Sequence, residues 1–135
     1  MKKKEKRQVR EATLKILYEQ EFNKEKQTEK QALTSLNKIT QNYANQLLEG
    51  IKTHKEKIDA LIKQTSEKWK MERISLVDLN IMRIAIYEML YATPSIPFKV
   101  CINESVEMAK IYGTENSPKF INGILDTISK KTKDI

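Results

Sequence analysis

Three glycines, three prolines, one cysteine, one histidine and one tryptophan are spread through 135 residues. So little Gly and Pro leaves few breaks, and long helices with short connections are expected. A lone thiol, Cys101, cannot form an internal disulfide and fits a reducing compartment. With one His and one Cys, the common zinc and nucleophile–base arrangements are nearly excluded. No glycine-rich phosphate loop is present either, so no metal or cofactor is expected, and a binding protein is favoured over an enzyme. No uncharged apolar run reaches the roughly 18 residues of a membrane span, and no apolar region follows the basic N-terminus. Neither a membrane span nor a secretory signal is therefore expected, and the cytoplasm is the expected location.

What the chain has in abundance is helical patterning. Ile74–Ala92, ISLVDLNIMRIAIYEMLYA, is apolar at fourteen of nineteen positions and carries charge only at Asp78, Arg83 and Glu88. A helix this apolar around its circumference needs cover on several sides, which predicts an all-α domain packed round it. Ser75 with Asp78 three residues on is a plausible helix start. The length suits one domain, and the formal charge of +7 is uneven. Met1–Arg10 holds six basic residues and one acid, so its side chains contribute +5. A basic arm on a nearly neutral body points to an anionic partner, nucleic acid ahead of membrane.

About six helices are expected in chain order. The first runs from about Lys4 to Phe22, with Val9, Ala12, Thr13, Ile16, Leu17 and Gln20 on one arc. Lys3, Arg7 and Arg10, continued by Leu14, form a ridge beside it. A solvated, frayed terminus is the competing reading of that ridge, but cations at a helix N-terminus oppose the dipole, which favours a function for them. Asn23–Lys30 reads as a linker, and Thr28 with Gln31 as a capping box for a second helix. That helix carries Leu36, Ile39, Tyr43, Leu47 and Ile51 on one face. Gly50 and a second box, Thr53 with Glu56, place a turn near Lys52 and start a short third helix with Ile58, Leu61 and Ile62 inward. His54 is expected at the surface and Trp69 in the core. After the central helix, Thr93–Pro97 breaks the pattern. The fifth helix starts near Pro97, with Val100, Ile102, Val106, Ala109 and Tyr112 as its stripe, Cys101 buried or half-buried, and Gly113 as C′ cap. Ser117-Pro118 reads as N-cap and N1 of a sixth, whose tail frays from Lys130. Glu104 and Glu107 look like ordinary solvated carboxylates. Arg83 reads as a partnered structural ion, with Glu104 or Glu107 as candidate partners.

The run Ile96–Ile128, IPFKVCINESVEMAKIYGTENSPKFINGILDTI, closely resembles the signature of the NusB family of transcription antitermination factors. LVDLNIMRIAIYEML in the central helix is similar as well, and Arg7, Arg10, Leu14, Leu17 and Tyr18 sit as in that family's first helix. Lys6, Gln8 and Asn80 depart from its pattern. The resemblance implies an all-helical fold of two three-helix subunits, here residues 1–68 and 69–135 of one domain. It implies binding of boxA-type single-stranded RNA from ribosomal RNA leaders, together with the small-subunit ribosomal protein NusE. Loading on RNA polymerase through other Nus factors would then suppress premature termination.

Single-stranded RNA needs cations for phosphates and flat groups for bases. Lys3, Lys6, Arg7 and Arg10 would supply the first. Asn116, Ser117 and Lys119 would add the start of the last helix, with its free N–H groups and positive dipole end. Phe120 is open to two readings, a stacking face or core packing. Asp78, Tyr87 and Glu88 are the candidate contacts for the protein partner, acids suiting a basic ribosomal protein. Two rivals stand beside this reading: a helical accessory domain related to those on RNA methyltransferases, and a helical scaffold without RNA affinity.

Overall fold

A computed structural model describes residues 1–22, 33, 36–66 and 71–133. The expected linker Asn23–Lys30, the Thr28–Gln31 box and Trp69 lie outside the described residues. Among those described, the secondary structure is helical: α1 Lys3–Phe22, α2 Lys38–Thr65, α3 Leu76–Ile86, α4 Phe98–Tyr112 and α5 Ser117–Lys133. A 3₁₀ turn, Met71–Arg73, precedes α3, and a π-helical turn, Tyr87–Tyr91, extends it.

α3 is the centre of the molecule, as its composition demands. The Ser75 hydroxyl caps it by accepting from the Asp78 N–H at 3.1 Å, and every residue from Asp78 to Ile86 is buried. All four other helices pack on it, and one continuous core runs from Val9 of α1 to Ile128 of α5. That enclosure is the physical consequence of a helix with no polar face to offer solvent.

The second and third helices expected from sequence are one. α2 runs 28 residues without a break, and both signals read as breaks have other causes. The Thr53 hydroxyl donates back to the Glu49 carbonyl at 2.8 Å, inside the helix instead of capping a new one. Gly50 is where the ring of Tyr87 meets the α2 backbone: a Cβ there would lie 1.9 Å from Tyr87 Cε1. Glycine serves close approach at this point, not termination. The true start is Asn37, whose side chain accepts from the Thr40 N–H at 2.9 Å. Thr40 is accordingly buried, whereas Ile39, expected on the apolar face, is 68% exposed.

Smaller corrections follow at the other ends. Val100 of α4 is exposed, while Cys101, Glu104, Ser105 and Met108 join Ile102 and Ala109 inside. Gly113 does cap α4, its N–H reaching the Ala109 carbonyl at 2.9 Å, but in extended backbone. Its lack of a side chain matters because a Cβ would stand 2.5 Å from the Ser117 side chain. Ser117 is not the N-cap of α5. Its hydroxyl accepts from the Thr114 N–H at 2.9 Å and its own N–H reaches the Thr114 carbonyl at 3.1 Å. Those bonds close a turn from Thr114 to Ser117 just ahead of the helix, whose Phe120 N–H reaches the Asn116 carbonyl at 3.1 Å. The expected fray at Lys130 does not occur, since α5 continues to Lys133.

Candidate nucleic-acid interface

α1 is helical from Lys3, so the basic segment is an ordered ridge where a frayed tail was the rival. Its members divide sharply. Lys2, Lys3, Lys4 and Arg7 are exposed and Lys6 is half-buried. Arg10, read as a continuation of the ridge, is only 3% exposed. Its guanidinium forks onto Glu88, Nε to Oε1 at 2.7 Å and Nη2 to Oε2 at 3.1 Å. The phenol of Tyr43 donates to the same carboxylate. The cause is geometric: α1 is covered by α2 on one side and α3 on the other. Its buried arc therefore widens past Val9, Thr13 and Ile16 to take in Leu14 and Arg10. Burial, and then the charge of Glu88, push the Tyr43 phenol well above its ordinary value. The same two causes push Cys101 up to about 12, leaving an inert thiol.

Glu88 and Tyr87, expected to meet a protein partner, are both interior. Glu88 is the counter-ion of Arg10 and Tyr87 packs on Gly50. Arg83 is a partnered ion as expected, but not with Glu104 or Glu107. It faces α1 and α2, where Asp59 takes Nε and Nη2, both at 2.9 Å, and Glu21 takes Nη1 at 3.0 Å. Asn80, fully buried, accepts from Nη1 at 3.0 Å and donates to the Leu76 carbonyl at 2.9 Å. Glu107 sits on the solvent face with Lys110.

Glu104, passed over in the sequence as a solvated acid, is buried on α4. It accepts from Arg7, Nε to Oε2 at 2.7 Å and Nη2 to Oε1 at 3.2 Å, with Lys3 Nζ 4.0 Å away. Its place was readable only in part: with Cys101, Ser105 and Met108 it follows the helical period of the buried face.

The start of α5 and the start of α3 together border a groove of about 460 Å³. Its walls include Asp78, Arg73, Asn116, Ser117 and Phe120. Residues read as two separate surfaces, one for RNA and one for protein, thus share one depression. Asn116 and Lys119 are exposed, whereas Ser117 is buried and bonded to Thr114. Phe120 packs on the core along one side and lines the groove along another. Asp78 is 8% exposed and its Oδ1 has no hydrogen-bond partner. Arg73 was missed, because only the packing of α3 against α5 brings it near Phe120. Among the described residues, no hydrogen bond or ion pair joins the arm cations to this groove. α1 and α4 are tied instead by Arg7 with Glu104 and by Tyr112, which donates to Glu11 at 2.6 Å. Tyr18 and Phe22 form an exposed edge-to-face pair, ring centres 5.2 Å apart, at the far end of α1. No helix among the described residues is long and apolar enough to cross a membrane.

Residues 7–130 match the model of the NusB family. The transcription antitermination protein NusB of Bdellovibrio bacteriovorus is 42% identical over 133 residues, covering 96% of this chain and 98% of that one. Among solved structures, T. maritima NusB superposes with a TM-score of 0.82 at 41% identity, covering 92% of this chain and 89% of that one. A chain in the crystal structure of antitermination factors NusB and NusE in complex with dsRNA gives 0.83 at 24% identity, covering 96% and 99%. That last likeness is one of fold.

Proposed function

The chain belongs to the NusB family, and from that premise we propose that it is a transcription antitermination factor without catalytic activity, acting in the cytoplasm. In this reading it binds boxA-type single-stranded RNA of ribosomal RNA leaders together with NusE. The complex then joins the RNA polymerase elongation complex through other Nus factors and suppresses premature termination. Residues 1–68 and 69–135 are the two halves of one domain, a reading supported by the single core that α1 to α5 share.

The observation that carries the RNA reading is the ordered basic ridge. Lys3, Lys6 and Arg7 are held on a helix whose dipole their charge opposes, and the single acid they meet among the described residues, Glu104, leaves the ridge with positive charge to spare. Phosphates are the natural counter-charge for such a ridge. Lys119 and the half-buried ring of Phe120 at the α5 start offer a second cation and a flat face for a base. Arg10 and Ser117 leave the RNA set, because neither reaches solvent. Of the three residues expected to meet a protein partner, Asp78 alone remains, on the wall of the groove.

Fluorescence anisotropy with boxA-like and scrambled RNA, with and without NusE, tests the proposal. Tighter binding of the boxA-like strand, strengthened by NusE, is expected. Equal affinity for the two strands in both conditions would refute it.

A further inference from the structure

Arg7 and Arg10 lie less than one helical turn apart on α1, and each uses the same edge of its guanidinium. In both, Nε and Nη2 fork onto a carboxylate of a neighbouring helix, Glu104 for Arg7 and Glu88 for Arg10. A guanidinium has a second fork, formed by Nη1 and the remaining Nη2 hydrogen. For Arg10 that fork is useless to a ligand, because the side chain is enclosed. For Arg7 the side chain is 44% exposed, and Nη1 has no hydrogen-bond partner among the described residues.

Glu104 itself is the unusual member. It is a buried acid on α4, packed on the same face as Cys101, Ser105 and Met108. A buried carboxylate needs cations, and here both come from the arm, Arg7 in contact and Lys3 at 4.0 Å. One negative charge against two positive ones leaves the cluster cationic. A free surface arginine must give up rotamer freedom when it takes a phosphate. Arg7 has already given it up to Glu104, and the edge facing away from Glu104 matches a phosphate in the two-bond geometry that lysine cannot supply.

We propose that Glu104 is a positioning residue for RNA: it grips the inner edge of Arg7 so that the outer edge stands ready to fork onto one phosphate of the strand, with Lys3 beside it. The inference rests on the RNA reading above and adds to it a group that never touches RNA.

The test is a double-mutant cycle of Arg7→Ala and Glu104→Gln, read by anisotropy with the boxA-like strand at several salt concentrations, with a thermal melt of each variant. Glu104→Gln raises the net charge by one, so electrostatics alone predicts tighter binding. Positioning predicts the reverse, a loss of about 3- to 10-fold, from the ordering cost of one long side chain. It also predicts no further loss when Glu104→Gln is added to Arg7→Ala. Tighter or unchanged binding by Glu104→Gln would overturn the proposal, and so would an equal loss in both backgrounds, which marks a purely structural role. Should Glu104→Gln fail to fold, Arg7→Lys serves instead. It keeps the charge at an exposed position but cannot hold carboxylate and phosphate on two edges, so a similar loss is expected, and unchanged affinity would overturn the proposal. Absence of binding by the unmutated protein would refute the RNA reading itself, an outcome distinct from normal binding with an unaffected Glu104→Gln variant.

Discussion

Arg10 and Arg83 are both buried, and both fork onto a carboxylate of another helix, yet their surroundings differ in a way that separates architecture from adjustment. Arg10 meets Glu88, itself 1% exposed, and Tyr43 closes the carboxylate from the far side. The pair ties α1 to the π-helical turn that ends α3, with α2 supplying the phenol. Arg83 spreads its donors over Asp59, Glu21 and Asn80. The two acids there keep side-chain exposures of 24% and 30%, and Glu21 and Arg83 stand at the wall of a cavity of about 520 Å³ that Lys52 and Lys55 also line. One cluster is sealed and the other is vented. A buried ion pair is not in itself a large source of stability, because desolvation offsets much of the attraction, but stranding one partner is costly. How costly depends on whether water can reach what is left.

The sharpest break of the comparison is therefore Arg10→Ala. Glu88 would be left charged in a sealed site, and a loss of about 3–5 kcal/mol is expected in denaturant unfolding. A loss below about 1 kcal/mol would mean that water enters the site or that Glu88 takes up a proton without strain. Arg83→Ala should cost less, about 1–3 kcal/mol, since Asp59 and Glu21 can turn to solvent. Equal losses in the two variants would erase the distinction between sealed and vented.

Cys101 gives a second measurement on the same contrast. Its thiol is buried, and its pKa is pushed up to about 12 by burial first and the charge of Glu88 next. Labelling by a thiol reagent at pH 8 should proceed only through opening of the structure. Arg10→Ala should accelerate it strongly and Arg83→Ala only as far as its smaller loss of global stability dictates. Equal acceleration per unit of lost stability would show that the Arg10 cluster has no local opening of its own.

The same contrast explains what could be read from residues and what could not. The central helix was legible because Ile74–Ala92 has no polar face, so its enclosure follows from composition alone. The ion pairs were not. Arg83 announced that it needed a partner, but its acids lie 24 and 62 positions away on α2 and α1, and no spacing rule reaches that far. Arg10 was misread because the width of the buried arc on α1 depends on how many helices cover it. Local period fixes the centre of that arc, not its edges. Gly50 and Thr53 misled for a related reason: a glycine spared for Tyr87 looks the same in sequence as a glycine that ends a helix. At the candidate RNA surface, the exposed cations of the arm were legible as charge. The role of Glu104 and the groove uniting Asp78 with Phe120 depended on tertiary packing.

The smallest expected effect is the most discriminating. Tyr43→Phe removes the donor that closes the sealed cluster while leaving Arg10 on both oxygens of Glu88. Because no acid is stranded, the loss at neutral pH should be only about 0.5–1.5 kcal/mol, that of one hydrogen bond. Its pH dependence carries the information. The native phenol holds its proton above its ordinary value because of burial and the charge of Glu88, whereas in the unfolded chain it titrates near its ordinary value of about 10. Above that pH the unfolded chain binds fewer protons than the native one, so stability falls as pH rises. The contribution of Tyr43 is therefore full below pH about 10 and is lost through the alkaline range beyond it. Cys101 adds a decline of the same sign between its ordinary 9.0 and about 12, and that part is common to both proteins. Urea unfolding between pH 9 and 11 should show the parent losing stability more steeply than Tyr43→Phe, so that the two curves converge as pH rises. Parallel curves would mean that the phenol is free to ionise in the native state, and that the Arg10 cluster is no more sealed than the Arg83 one.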